Sequence, residues 1–158
     1  MSWAQSGDEC SGLVKLIMST FGDQSSYMTK RKISASRERM IRSGIAYLRF
    51  KGFHEIKAGV DEFKEPQLVF NRQHEIGFQP DVIAYRNFAT FIFDTIEDQD
   101  LETWGECCQK WEVFEEFALR KKGKLGLIIY SDQAELIKER LANTALDPTL
   151  IQIKKQVE

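Results

Sequence analysis

The apolar positions of this chain change their period several times, and the changes predict its elements. Between residues 9 and 21, Cys10, Leu13, Val14, Leu16, Ile17 and Phe21 recur at helical spacing. Gly22-Asp23-Gln24-Ser25-Ser26 reads as a linker. A longer helix is expected over 34–51, with Met40, Ile41, Ile45, Tyr47 and Leu48 on its buried side. Ser34 or Ser36 suits its N-cap and Gly52 its end. Residues 53–60 read as a strand, and 67–70 as an optional second one. Two short apolar runs follow, about 80–86 and 90–96, separated by the turn signal Arg86-Asn87-Phe88-Ala89. An acidic loop at 97–100 leads into a helix over 101–122, closed by Gly123. The near-continuous apolar run 124–130 predicts a strand covered on both faces. Ser131 is placed to cap a helix over 132–142, which Asp147-Pro148 breaks, and Leu150 to Ile153 predicts a last short strand.

An antiparallel meander followed by strand-helix-strand implies an α/β fold, with a central mixed sheet flanked by helices. A length of 158 residues suits one domain, with 1–27 as an N-terminal helix and linker and 34–153 as the core. Hydrophobic residues at 42% and charged residues at 29% predict a packed interior. No run of eighteen apolar residues predicts a membrane span, and the N-terminus lacks the pattern of a signal peptide. The cysteines are Cys10, Cys107 and Cys108, an odd set with two adjacent members, which predicts a reduced, cytoplasmic protein. His54 and His74 stand alone, without zinc spacing.

Charge is segregated although the net value is only −2. Residues 28–51 carry Lys30, Arg31, Lys32, Arg37, Arg39, Arg42, Arg49 and Lys51 against the single acid Glu38. Residues 92–116 carry nine acids against one base, Lys110. Such separation creates local fields, and it also suits a basic helix face beside an acidic neighbour.

The candidate chemistry lies in the two apolar runs. Asp81 precedes Val82-Ile83-Ala84-Tyr85, and Asp94 follows Phe91-Ile92-Phe93. A carboxylate inside a hydrophobic strand costs free energy unless it is paired, protonated or metal-bound. Two on adjacent strands suit a hard cation such as Mg²⁺ or Mn²⁺. The plainer readings are a strand-entry residue at 81 and a cap or lysine partner at 94.

The Pro80-Asp81 pair, with Asp94 thirteen residues later on the next strand, resembles the half-motifs of the PD-(D/E)xK nuclease superfamily, whose fold is restriction-endonuclease-like. The resemblance covers roughly residues 34–130. It implies metal-dependent hydrolysis of phosphodiester bonds in DNA, with Asp81, Asp94 and the carbonyl of Thr95 holding the metal. It also implies that Glu38, on the first core helix, completes the metal environment, although Glu38 equally suits an i,i+4 pair with Arg42. Lys30, Arg31, Lys32, Arg37, Arg39 and Arg42 would meet DNA phosphates, and by resemblance the fold often works as a dimer. The chain departs from the motif at Ile96, where a lysine is expected. Lys57 on the preceding core strand, Lys110 on the following helix, or Glu97 or Glu102 beside a metal-bound water are the substitutes. The alternative is a non-catalytic nucleic-acid-binding or protein-interaction module with a degenerate site.

Overall fold

The computed structural model describes residues 33–155. The helix expected over 9–21, its linker, and the candidate phosphate contacts Lys30, Arg31 and Lys32 lie outside those residues.

Helix α1 (Ala35–Phe50) begins where Ser34 Oγ accepts the Arg37 N–H at 3.0 Å. It ends in a Schellman motif: Gly52 at φ +90° donates to Arg49 O and Phe53 donates to Leu48 O, each at 3.0 Å. Met40, Ile41, Ile45 and Leu48 are buried as expected. Tyr47 is not; it lies one step around the helix from Leu48 and is 40% exposed.

The central sheet has five strands in the order β1 (His54–Ala58), β4 (Val82–Arg86), β5 (Ala89–Thr95), β6 (Leu125–Tyr130), β7 (Thr149–Ile153). The first three pair antiparallel, and β5–β6–β7 pair parallel. The sheet is therefore mixed and flanked by helices. β4 and β5 form a hairpin whose two-residue turn, Asn87-Phe88, has φ of +53° and +65°. Positive φ at both central positions is what the twist of a tight hairpin requires.

The stretch 61–77 holds what the sequence left optional. β2 (Val69–Phe70) pairs with β3 (Gly77–Phe78) in a separate two-stranded ribbon rather than in the main sheet. Strand β3 carried no periodic signal because it is two residues long. Asn71 Oδ1 closes the intervening loop by accepting from the N–H groups of Glu75 and Ile76. Val69 and Phe78 pack against the helix-covered face, with Phe78 edge-on to Phe114.

Residues 97–100 are partly helical rather than a loop: α2 (Asp98–Glu102) turns directly into α3 (Trp104–Arg120). Gly123 does follow α3, but the left-handed residue is Lys122 at φ +65°. Glycine is needed at 123 because a Cβ there would lie 1.7 Å from the Thr90 carbonyl oxygen. After β6 comes a 3₁₀ turn, Ser131–Gln133, then α4 (Ala134–Leu141). Ser131 does not cap it; its hydroxyl donates to Ile153 O at 3.2 Å.

Two cores sandwich the sheet. Ile83, Ile92, Leu125, Leu127 and Ile129 face α3 and α4, with Trp111 and Phe114. Val82, Ala84, Phe93 and Ile128 face α1, with Met40 and Leu48. β6 is buried along its whole length, as its unbroken apolar run predicts. Among the described residues, no helix is long and apolar enough to cross a membrane.

Candidate active site

Val82 stands opposite Phe93 in the β4–β5 ladder, so Asp81 and Asp94 continue that register as an opposed pair at its end. Both are sealed from solvent, at 0% and 1% exposure. Asp81 Oδ2 accepts from the Thr95 N–H at 3.0 Å and the Thr95 hydroxyl at 2.7 Å. Asp94 Oδ2 accepts from Trp111 Nε1 at 2.9 Å and faces Lys110 Nζ at 3.0 Å. The apolar pattern of α3 explains this arrival. Trp111 is driven into the core, and the preceding residue is left at the rim, where Lys110 is 13% exposed.

A third group closes the cluster from α1. Arg37 Nε donates to Glu97 Oε2 at 2.8 Å, Nη2 donates to Asp100 Oδ2 at 2.6 Å, and Nη1 lies 3.6 Å from Asp81 Oδ2. Ser34 Oγ, besides capping α1, donates to Glu97 Oε1 at 2.8 Å. The Glu97 N–H in turn donates to Asp100 Oδ2 at 2.8 Å, fixing the α2 entry. One arginine thus ties the start of α1 to the end of β5 and to α2.

Burial pushes the Asp94 carboxyl up to about 6; Lys110 and Arg37 oppose that rise, and the neighbouring Asp81 adds to it. Burial pulls the Lys110 ammonium down, but Asp94, Cys107 and Asp81 outweigh it and the net movement is upward. Arg37 behaves likewise: its burial is outweighed by Asp81, Asp100 and Asp94. Both cations therefore stay charged at neutral pH. Cys107 is pushed up to about 12 by burial, which makes it a poor nucleophile.

Of the residues singled out in the sequence, Asp81, Asp94, Thr95 and Lys110 are brought together. Thr95 gives its N–H and its hydroxyl to Asp81. Glu38 is not in the cluster. Its carboxylate pairs with Arg42 at 3.0 Å, and Arg42 also meets Glu62, so the i,i+4 pair is what forms. Lys57 stands opposite Ile83 on the edge strand, and its ammonium lies 5.8 Å from the Tyr85 ring centre. Arg37 is turned inward onto three acids, which corrects its assignment to DNA phosphate. Arg39 is exposed and Arg42 is engaged with Glu38 and Glu62. Ile96, at the motif's lysine position, is 3% exposed in the core around Trp111. Glu102 is exposed on α2.

Sequence reasoning named Arg37 and Glu97 in other roles; it missed Arg37 as the hub that holds Glu97 and Asp100, and Trp111 as the partner of Asp94. The signal was present in the charge segregation. An acidic segment with a single base needs a cation from elsewhere, and the basic helix supplies one.

Asp81 and Asp94 are oxygen donors of the type a divalent cation takes, and each already faces a protein cation. Among the described residues no three or more acidic, histidine or cysteine side chains are grouped to hold an ion. Magnesium, however, keeps several waters and takes only one or two carboxylates from a protein. Asp81, Asp94, Glu97 and Asp100 against Arg37 and Lys110 leave two negative charges when all are ionised. No family model, no curated protein and no solved structure matches the chain.

Proposed function

We propose that this protein is a divalent-metal-dependent phosphodiesterase of the PD-(D/E)xK nuclease type, acting on DNA. The supporting observation is the opposed pair Asp81 and Asp94 with an ammonium, Lys110 Nζ, 3.0 Å from Asp94 Oδ2. That arrangement supplies the three charged groups of the motif although the motif's lysine position holds Ile96. Asp81 and Asp94, with the Thr95 carbonyl, would hold Mg²⁺ or Mn²⁺. The metal when bound polarises a phosphoryl oxygen and lowers the pKa of a coordinated water.

The chain's own groups do the rest. Lys110 remains an ammonium, so it stabilises negative charge on the phosphate rather than serving as a general base. Trp111 Nε1–H fixes the Asp94 carboxyl, and Thr95 and Arg37 fix that of Asp81. Arg37 is a positioning residue, acting through the acids it holds.

A second reading has its own observation. Oδ2 of each aspartate already accepts from protein donors, as a purely structural ion network would arrange. On that reading the protein is a non-catalytic interaction module. Calorimetric titration with Mn²⁺ and a cleavage assay on duplex and single-stranded DNA separate the two. The nuclease reading expects saturable Mn²⁺ binding, lost in Asp81→Ala and in Asp94→Ala, together with cleavage that EDTA abolishes. No saturable metal binding and no cleavage of either DNA form would sink it.

A further inference from the structure

At the far end of the sheet, on its other face, lies a groove that the aspartate cluster does not use. It encloses about 250 Å³ and is lined by Tyr47, Lys51, Phe53, Arg86, Phe91 and Lys124, among others. Phe91 and Phe93 turn toward α1, whereas Asp94 turns toward α3. Ala89, at the hairpin end of β5, is roughly 17 Å along the strand from Asp94 at about 3.3 Å per residue.

The lining carries three cations and no carboxylate. Lys121 and Lys122 stand exposed just before Lys124, on the turn that Gly123 seats against Thr90, with the Lys121 ammonium over Phe117 on the other face. Among the described residues, none of Lys51, Arg86, Lys121, Lys122 and Lys124 is in an ion pair with an acid. In a chain of net charge −2 this is a local excess of positive charge.

Arg86 is held in place rather than swinging free. Its guanidinium lies 4.2 Å from the Phe53 ring centre and 5.5 Å from that of Phe91, and Nη1 donates to Lys51 O at 3.1 Å. Lys51 Nζ lies 5.6 Å from the Tyr47 ring centre. One ring of the lining reaches solvent: Tyr47 is 40% exposed. Fixed cations beside a solvent-reaching aromatic ring complement a polyanion that offers flat apolar faces of its own. A duplex keeps its base faces stacked inside, whereas a single strand presents them.

We propose that this groove binds single-stranded nucleic acid, with phosphates on Lys51, Arg86 and Lys124 and a base on Tyr47. It deepens the nuclease reading by naming a strand form and its docking surface, and it rests on that reading only for the strand being a substrate.

The test is fluorescence anisotropy of a labelled 20-nucleotide oligothymidine titrated with the full chain. EDTA is present throughout, so an absent or inactive metal site does not affect the result. The wild type is expected to bind with Kd of about 1–100 µM at low salt. Lys51→Glu/Lys124→Glu is expected to weaken binding at least about tenfold and to flatten the plot of log affinity against log salt by about 1.4. Tyr47→Ala is expected to weaken it about tenfold through lost stacking. Circular dichroism melts check that each variant folds. Absence of wild-type binding, or binding unchanged in both variants, overturns the proposal. So does heparin competing as well as the oligonucleotide while Tyr47→Ala is neutral, because the surface is then a plain anion patch. Self-association of the chain abolished by the charge-reversal variant, with no oligonucleotide bound, makes a second copy the occupant and overturns it as well.

Discussion

Replacing Lys110 with methionine separates catalysis from charge balance. At 3.0 Å and an effective dielectric of about 20, the gross attraction between Lys110 and Asp94 is about 5.5 kcal/mol. Stability does not fall by that amount. Breaking a buried pair costs about 3–5 kcal/mol when the remaining charge has no escape. Asp94 has one, because its carboxyl already sits at about 6 and takes up a proton once the ammonium is gone. The expected loss at pH 7 is therefore about 1–3 kcal/mol. The effect on chemistry is larger, since one donor aimed at developing negative charge is worth about 10²–10³ in rate. Mn²⁺ affinity, measured separately, should hold or tighten at pH 8, where a competing cation has been removed. DNA cleavage at saturating Mn²⁺ should drop about 100- to 1000-fold. If the variant binds Mn²⁺ and cleaves at the wild-type rate, Lys110 merely balances Asp94 and its proposed role is wrong.

Arg37→Met leaves Asp81, Glu97 and Asp100 without their common partner, and urea unfolding should report a loss of about 3–5 kcal/mol; a loss below about 1 kcal/mol would mean that the network is solvated. Asp94 carries a folded-state pKa above that of the unfolded chain, so its protonated form stabilises the fold at low pH. That contribution is present below about pH 4 and is lost as pH rises to about 6. Urea midpoints taken across this window should fall more steeply in the wild type than in Asp94→Asn, and equal slopes would refute the assignment. Ile96→Lys restores the motif in sequence but places an ammonium in the core around Trp111. It should cost about 3–5 kcal/mol and fail to restore cleavage to Lys110→Met; recovered cleavage in the double variant would show that the strand position is still open.

Much of the sheet was legible because its strands obey local rules. The unbroken apolar run at 124–130 marked β6, and the Asn87-Phe88 hairpin was bracketed by two apolar runs. The helix over 35–50 announced its start through Ser34 and its end through Gly52. Other features failed for physical reasons. β3 is too short to show a period, and Ser131 meets Ile153, a partner brought by tertiary contact. In the site, each buried aspartate implied a partner, and Lys110 was among the candidates. Which lysine arrives depends on how α3 packs, and no spacing in the chain encodes that. Arg37 illustrates the same limit from the other side. Its neighbours in sequence made it look like part of a solvated basic face, yet it is the residue of that helix whose position three after the cap aims it at Glu97 and Asp100.

The exchange between positions 96 and 110 follows from where the core ends. Ile96 lies on the α3 side, as Asp94 does, but just past the end of β5, where its N–H still bonds to Ile128 O. There its side chain enters the packing around Trp111. A charge at that position would be buried, so packing and catalysis cannot both be served by residue 96. On α3 successive residues are rotated by about 100°. With Trp111 fixed at 0% exposure, Lys110 emerges at the edge of the same core at 13%. From that edge its ammonium reaches Asp94 at 3.0 Å. Arg37 plays the matching part on the Asp81 side, entering from α1 at the same exposure of 13%. Each aspartate is thus held by a cation from a different helix, and Asp100, at 14% exposure, is the acid that Arg37 meets closest to solvent.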